Sequence, residues 1–266
     1  MNMKPEYKNW MPKGMVMGSA IGAGVCILLL VLFGCTPLLS SGSVKTVLTI
    51  VFAVISVFMT VMTIWMLMMY RAFSYDGKRQ MSRQIIEGLA HYVHIPDGGI
   101  GLDVGCGSGA LTIACAKRNP KASMVGIDRW GKEYASFNLP LCVKNASAEG
   151  VSSNTEFKKG DAVKLDFDDE SFDAVTSNYV YHNIPSSDRQ KILLETLRTL
   201  KKGGIFVIHD IMSRAKYGDM EAFAAKLRSM GYEKVELIDT TDGKFMTPFE
   251  AKWMGLSGSK ILMGKK

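Results

Sequence analysis

The chain changes character once. From Gly14 to Tyr70, 57 residues carry a single charge, Lys45, and lack the polar stripe that gives a soluble core helix its solvent face. Within that stretch Met15–Leu39 and Thr46–Tyr70 are each 25 residues without a charge. A helix rising ~1.5 Å per residue over such a length reaches about 37 Å, enough for a hydrocarbon core roughly 30 Å thick. Ser40–Ser43 reads as a turn between two membrane spans. Beyond Arg71 the pattern alternates. Apolar residues at helical spacing over 80–94 end at Pro96-Asp97-Gly98-Gly99. Short apolar runs follow at 100–104, 122–127, 154–159, 172–177, 204–209, 234–239 and 259–263. Helical patterns separate most of them, at 110–117, 130–148, 187–200 and 219–230. This order predicts an α/β fold with a doubly wound, mostly parallel sheet. The last two strands have no helix between them, which allows an antiparallel pair. The division expected is a tail at 1–14, two spans in 15–70 with a turn near 40–45, a linker and first helix at 71–97, and a globular domain at 98–266.

The flanking charges predict orientation. Lys4, Lys8 and Lys13 precede the first span, and Arg71, Lys78, Arg79 and Arg83 follow the second, against Lys45 alone at the turn. The positive-inside rule then places both termini and the large domain in the cytoplasm, with two spans in the cell membrane. Two alternatives compete with the hairpin. One is a cleaved secretory signal: Leu32-Phe33-Gly34-Cys35 resembles a lipoprotein cleavage site, although Phe fits poorly there, and the second span would remain as an anchor. The other is a buried soluble hairpin, which the missing polar stripe opposes. Gly14, Gly18 and Gly22, four apart, suit either packing within the hairpin or a helix-mediated homodimer.

Composition removes several classes. With 47% hydrophobic and 21% charged residues, the chain is neither disordered nor collagen-like, and five cysteines without a CxxC pair argue against a disulfide framework or zinc site. The net charge of +7 forms no basic block, so no nucleic-acid partner is expected. The basic flanks fit anionic lipid headgroups instead. His91 and His94, three apart on a helix, have no Cys or Glu at ligand spacing, and no metal is expected. Of eighteen methionines, ten lie in residues 1–70, where packing in the spans accounts for them.

The stretch that carries chemistry is Gly101-Leu102-Asp103-Val104-Gly105-Cys106-Gly107-Ser108-Gly109, between a strand and a helix. Glycines let backbone approach a ligand, and the helix start offers free N–H groups. Gly105-x-Gly107-x-x-Ala110 would also satisfy the dinucleotide fingerprint. Asp103, at the strand end, suits a cationic ligand better than a pyrophosphate. Asp128 ends the next strand, where a carboxylate can accept from ribose hydroxyls. Asp161 follows the third strand.

In LDVGCGSG, Asp128, Gly160-Asp161-Ala162, Ser171-Phe172-Asp173-Ala174-Val175 and Leu200-Lys201-Lys202-Gly203-Gly204, in that order over about 98–210, the chain resembles the class I S-adenosylmethionine-dependent methyltransferases. The resemblance implies a Rossmann-like sheet of seven strands, the last antiparallel, and S-adenosyl-L-methionine as cofactor. It places Gly105, Cys106 and Gly107 along the methionine portion with Asp103 near its ammonium. Asp128 with Arg129 would hold the ribose, Asp161 with Ala162 the adenine, and Asn178 would face the sulfonium. The segment before the glycine loop often covers the cofactor in this family, which nominates Tyr75.

Asn178-Tyr179-Val180-Tyr181-His182-Asn183-Ile184 occupies the family's variable acceptor-facing segment, nominating Tyr179, Tyr181 and Asn183 as acceptor contacts. It departs from the Asn/Asp-Pro-Pro-Tyr motif of enzymes that methylate DNA bases and protein amides. Ser177 stands near the place where catechol-type enzymes carry a magnesium-binding acid. His182 is a candidate base, its unperturbed pKa lying near 6.5, with a structural role as the alternative. His209, at the end of the fifth strand, is the second candidate, and Asp210 beside it also points to the ligand edge. The connection from Thr240 to Gly258 is long for two adjacent strands and rich in apolar bulk, Trp253 included. It packs on its own domain or, with Phe73–Tyr75, forms an entrance for acceptors from the bilayer. The reading is a membrane-anchored methyltransferase acting on a small or lipophilic acceptor at the cytosolic side. Its rival is a non-catalytic membrane protein or scaffold that binds S-adenosylmethionine.

Overall fold

The computed structural model describes residues 4–131 and 136–266. The chain forms two compact units, residues 9–82 and residues 1–8 together with 83–266.

The first unit is a helical hairpin, α1 (Lys13–Leu30, widening into a π turn over Val31–Cys35) and α2 (Ser43–Ala72). Both helices are long and apolar enough to cross a membrane. Their packing uses small and aromatic residues: a Cβ at Gly22 would collide with the Met59 side chain, and Phe33 stacks on Phe52 at 5.6 Å. Gly22 therefore belongs to the hairpin, whereas Gly14 and Gly18 face open space. Most other large apolar side chains point outward, with Ile21, Val54 and Val57 each more than 60% exposed. A soluble core helix would bury them. After α2, Phe73 turns inward against the Trp10 ring at 5.8 Å, and Ser82 Oγ donates to its carbonyl. Tyr75, half-buried, lies in this unit.

The second unit is the expected α/β domain. Its elements are α3 (Met81–Ala90, which starts at the boundary), β1 (Ile100–Val104), α4 (Ala110–Arg118), β2 (Ser123–Asp128), α5 (Leu139–Ala148), β3 (Thr155–Lys159), β4 (Phe172–Asn178), α6 (Arg189–Arg198), β5 (Leu200–Ile211), α7 (Arg214–Tyr217), α8 (Met220–Ser229), β6 (Lys234–Asp239), α9 (Pro248–Trp253) and β7 (Ser259–Lys265). The strands form one seven-stranded sheet in the order β3-β2-β1-β4-β5-β7-β6, with β7 antiparallel to both neighbours. The order reverses between β1 and β4, and the crevice beyond the strands' carboxyl ends at such a point is where open α/β sheets bind ligands.

The helical pattern read over 130–148 resolves into α5 only from Leu139, with Asn138 capping and Pro140 in the first turn; positions 132–135 of that expectation lie outside the described residues. β5 begins at Leu200, four residues before the apolar run. The register with β4 skips between Phe172↔Leu200 and Ala174↔Ile205, so Leu200–Gly204 bulges and carries polar residues that hide the strand's start. The connection 240–258 is not a plain loop. Thr247 and Glu250 form a capping box that starts α9. Phe245, Met246 and Leu256 pack into the domain, while Phe249 and Trp253 stack on each other at 6.2 Å on the outside. Half the apolar bulk of that connection is core.

Candidate functional site

The turn from β1 into α4 carries Gly105, Gly107 and Gly109, all at positive φ that side chains rarely adopt. The turn is held from behind. Gly105 and Cys106 donate their N–H groups to Ile127 O of β2, at 2.8 and 3.0 Å. The Gly107 carbonyl accepts from the Trp130 indole at 2.9 Å and the Cys142 thiol at 3.2 Å. In front, a Cβ at Gly107 would meet only the Phe137 ring, at 3.7 Å or more, so the space over this glycine is open. At Gly105 a Cβ would strike Val180, so this glycine lets the β4 side of the crevice close on the turn.

Two carboxylates organise the turn, and they differ. Asp103 is 1% exposed; its oxygens accept from Thr112 Oγ1 at 2.6 Å and Thr176 Oγ1 at 2.9 Å, tying β1 to α4 and β4. Burial pushes its carboxyl up to about 6 against the pull of the two threonines. The carboxyl faces inward and braces the turn, with one threonine hydroxyl on each oxygen and a second acceptor site left on each for the ammonium expected near it. Cys106 is buried, its N–H bonds Ile127 O, and burial next to Cys142 raises its thiol well above the usual range. Asp128 is half-buried and accepts from Gly107 N at 2.9 Å and Trp130 N at 2.7 Å. Each of its oxygens keeps a second acceptor site, so it can still receive hydroxyl groups at the crevice. Trp130 holds a positive φ of 45°, uncommon for so large a side chain, as it turns back over the glycine turn. Arg129 is exposed. Asp161 is exposed and closes its own turn onto Val163 N at 2.9 Å, with Ala162 packed against the core beside it.

Across the crevice, β4 and β5 supply a second cluster. His182 Nδ1 lies 2.5 Å from Asp210 Oδ1. The other oxygen of this carboxylate accepts from the backbone N–H of Tyr181 at 2.8 Å and of His182 at 3.2 Å. Burial drives the Asp210 carboxyl up, but the imidazole and the Ile211 N–H outweigh it and hold the group below the ordinary carboxylate range. A carboxylate can only accept, so His182 carries its proton on Nδ1 and keeps Nε2 as the basic nitrogen. The imidazole is 14% exposed. The pairing fixes both the orientation and the tautomer of the ring.

His209, the other candidate base, is corrected. It is fully buried between Asn178 Oδ1 at 2.8 Å and Thr240 Oγ1 at 3.0 Å, and burial lowers it to about 3. A neutral imidazole held at both nitrogens does not exchange protons with a substrate. It fixes Asn178 instead: with Oδ1 occupied by His209, the Asn178 amide has its N–H groups left to offer.

The structure also corrects Tyr181. Its side chain is in the hydrophobic core, fully buried, with the hydroxyl on Thr196 Oγ1 at 2.8 Å. Tyr179 adopts φ 54°, bonds Ser259 Oγ at 2.9 Å and lies over His209 at 4.5 Å. Asn183 is exposed, and Trp253 presents 43% of its surface on α9. Tyr75 belongs to the helical unit, as does Phe73, whose ring is buried there against Trp10. Among the described residues no group of three His, Cys, Asp or Glu could hold a metal ion.

Sequence reasoning passed over Trp130 and Asn145, and put Asp210 at the ligand edge as a catalytic candidate without its partner His182. A tryptophan two residues past a strand-end acid, and an acid at the tip of β5 opposite a loop histidine, were visible signals. Their partners were not, since Asp210 and His182 are 28 positions apart.

A sequence model described as a methyltransferase domain matches residues 96–252. Over 108 residues the chain is 35% identical to a demethylmenaquinone methyltransferase from Lactobacillus johnsonii, covering 40% of this chain and 41% of that protein. It is 33% identical over 129 residues to the sterol 24-C-methyltransferase ERG6A of Gibberella zeae, covering 48% and 32%. The chain thus matches less than half the length of either relative. Among solved structures, the [4+2]-cyclase SpnF superposes with a TM-score of 0.52 at 20% identity, over 73% of this chain and 85% of that one. That likeness shows the fold, and a cyclase on it means the fold alone does not choose the reaction.

Proposed function

The chain belongs to the S-adenosylmethionine-dependent methyltransferase family, and from that premise we propose that it methylates a small or lipophilic acceptor beside a membrane. The observation that carries the reading is the glycine turn, held from behind by Ile127, Trp130 and Cys142 and open in front of Gly107, with Asp128 at its rim. Gly105 and Gly107 would take the methionine portion of the cofactor, Asp128 the ribose and Asp161 the adenine. When bound, the cofactor supplies an electrophilic methyl group.

What this chain contributes is alignment and a base. Transfer of a sulfonium-borne methyl, with the thioether of S-adenosylhomocysteine as leaving group, needs the acceptor atom in line and free of its proton. His182 Nε2 takes that proton, and Asp210 holds the ring in the competent tautomer and stabilises the imidazolium that results. Asn178, locked by His209, presents amide N–H groups at the end of β4 to orient the acceptor. Tyr179 and Asn183 line the same side.

The relatives matched by sequence are named for a menaquinone precursor and a sterol, and the apolar hairpin makes a lipophilic acceptor reasonable here too. We place α1 and α2 across the cell membrane with both termini and the catalytic domain in the cytoplasm, on the basic flanks and the outward apolar side chains. A homodimer would use Gly14 and Gly18, since Gly22 is spent within the hairpin. The test is S-adenosylhomocysteine release by the full chain in lipid nanodiscs with quinol, sterol and water-soluble phenol acceptors. Cofactor binding without release for any acceptor would favour the non-catalytic reading. Reporter fusions at residue 266 and at the Ser40–Ser43 turn should report opposite sides of the membrane.

A further inference from the structure

Residues 4–8 precede the first apolar helix, yet they belong to the same compact unit as the α/β domain. The side chain of Asn145 grips their backbone. Glu6 N donates to Asn145 Oδ1 at 2.7 Å, and Asn145 Nδ2 donates back to Glu6 O at 3.2 Å. The same Nδ2 donates to Ser108 O at 3.0 Å, inside the glycine turn. Asn145 is fully buried, so its amide is satisfied only while the N-terminal segment covers it. Three positions earlier on the same face of α5, Cys142 donates to Gly107 O. Helix α5 therefore supports two consecutive carbonyls of the turn, and the segment at 4–8 grips one of the two supporting side chains. Two further contacts lie outside this one: the exposed pair Lys144 with Glu6 at 3.8 Å, which contributes little, and the part-buried Tyr7 hydroxyl with Glu149 at 3.4 Å.

We propose that residues 4–8 form a clasp whose seating is coupled through Asn145 to the cofactor turn, making Asn145 a positioning residue and the N-terminal segment part of the cofactor site's support. The inference rests on the cofactor reading above. The physical step is short. If the clasp lifts, Asn145 loses two of its three partners and turns toward water, and Ser108 O loses the donor that fixes it. The Gly107–Ser108 backbone then has more conformations to give up when a ligand binds. Linkage makes the effect reciprocal: a ligand on the turn favours the seated clasp, and the seated clasp favours the ligand.

The experiment uses the full chain in nanodiscs with S-adenosylhomocysteine as probe. Glu6→Pro removes the N–H that reaches Asn145 Oδ1 and leaves the turn untouched; Asn145→Ala removes the relay. Each variant should bind the probe about three- to tenfold more weakly, the worth of one lost neutral hydrogen bond, and the double variant no more weakly than the worse single. In the wild type, the probe should slow hydrogen exchange of the Glu6 amide, and in Asn145→Ala it should not. Unchanged affinity in Glu6→Pro, or a Glu6 amide indifferent to the probe, overturns the clasp while wild-type binding leaves the cofactor reading standing. Absence of binding to the wild type would sink both.

Discussion

At the ends of β1 and β2 the ligand side is mostly backbone, nine consecutive residues from Gly101 to Gly109, closed by Asp128, 21 positions beyond Gly107. At the ends of β4 and β5 it is side chains drawn from far apart: Asn178 on His209, His209 on Thr240, His182 on Asp210, Tyr179 on Ser259. The first half holds a ligand of constant shape, which a glycine turn does through main-chain geometry. In the proposed function the second half fits an acceptor, and side chains pinned by long-range partners can be exchanged without disturbing the turn. The two halves also carry opposite electrostatic stress. Asp103 is a carboxyl pushed up by burial, and His209 an imidazole pushed down by the same cause.

The comparison can be broken at several points. The largest effect is expected at the turn: Gly107→Val puts a branched side chain at φ 57° into the open front and should abolish detectable cofactor binding by calorimetry. A bound Gly107→Val protein would show that the ligand does not pass over this glycine. Next come the acceptor groups. His182→Ala and Asp210→Asn should each lower turnover by about 10²- to 10⁴-fold, the range for a general base, with cofactor affinity within about twofold of wild type. Loss of affinity in step with turnover would mean that the halves are not separable. Asp128→Ala should weaken cofactor binding by about 1–3 kcal/mol, since it removes charged acceptors from the ligand and from Gly107 N together.

The pH dependence of stability sharpens the contrast. His209 has a folded pKa near 3 against an ordinary 6.5, so the unfolded chain binds more protons between those values. Its contribution is whole above pH ~6.5 and is lost as pH falls toward ~3. Asp103, raised from 3.8 to about 6, does the reverse: the folded state binds the extra proton, and stability is gained as pH falls from about 6 to 3.8. Melting temperatures from pH 4 to 7 should therefore fall more steeply toward acid in Asp103→Asn than in wild type, and less steeply in His209→Gln. Parallel slopes in all three would remove the opposition. The smallest effect is at the rim. Trp253→Ala should reduce turnover of a membrane-borne acceptor severalfold while sparing a water-soluble one, because Trp253 and Phe249 face outward rather than into the core. Equal loss for both acceptors, or a lower melting temperature, would make the pair structural.

Much of this was legible in the chain itself. The hairpin followed from 57 residues with one charge, and the sheet from apolar runs whose spacing switches between strand and helix. The glycine turn and Asp128 were legible because a tight turn and a strand-end acid are local demands on residue type. Tyr181 was misread for the opposite reason. A tyrosine beside a strand end looks the same in sequence whether its ring enters the crevice or, as here, the core against Thr196. His182 and His209 were indistinguishable as bases until burial and partners separated them.

Sequence by itself determined the elements, their order, the apolar hairpin and the cofactor turn, since each depends on residues within a few positions of one another. Tertiary structure alone decided which histidine keeps access to solvent, that Asp103 and Cys106 serve the turn from inside, that Asp210 orients His182, and that residues 4–8 rest on Asn145. Those outcomes rest on pairs up to 139 positions apart, and only the assembled fold, by removing water from some groups and leaving it to others, gives such pairs their geometry and their charge states.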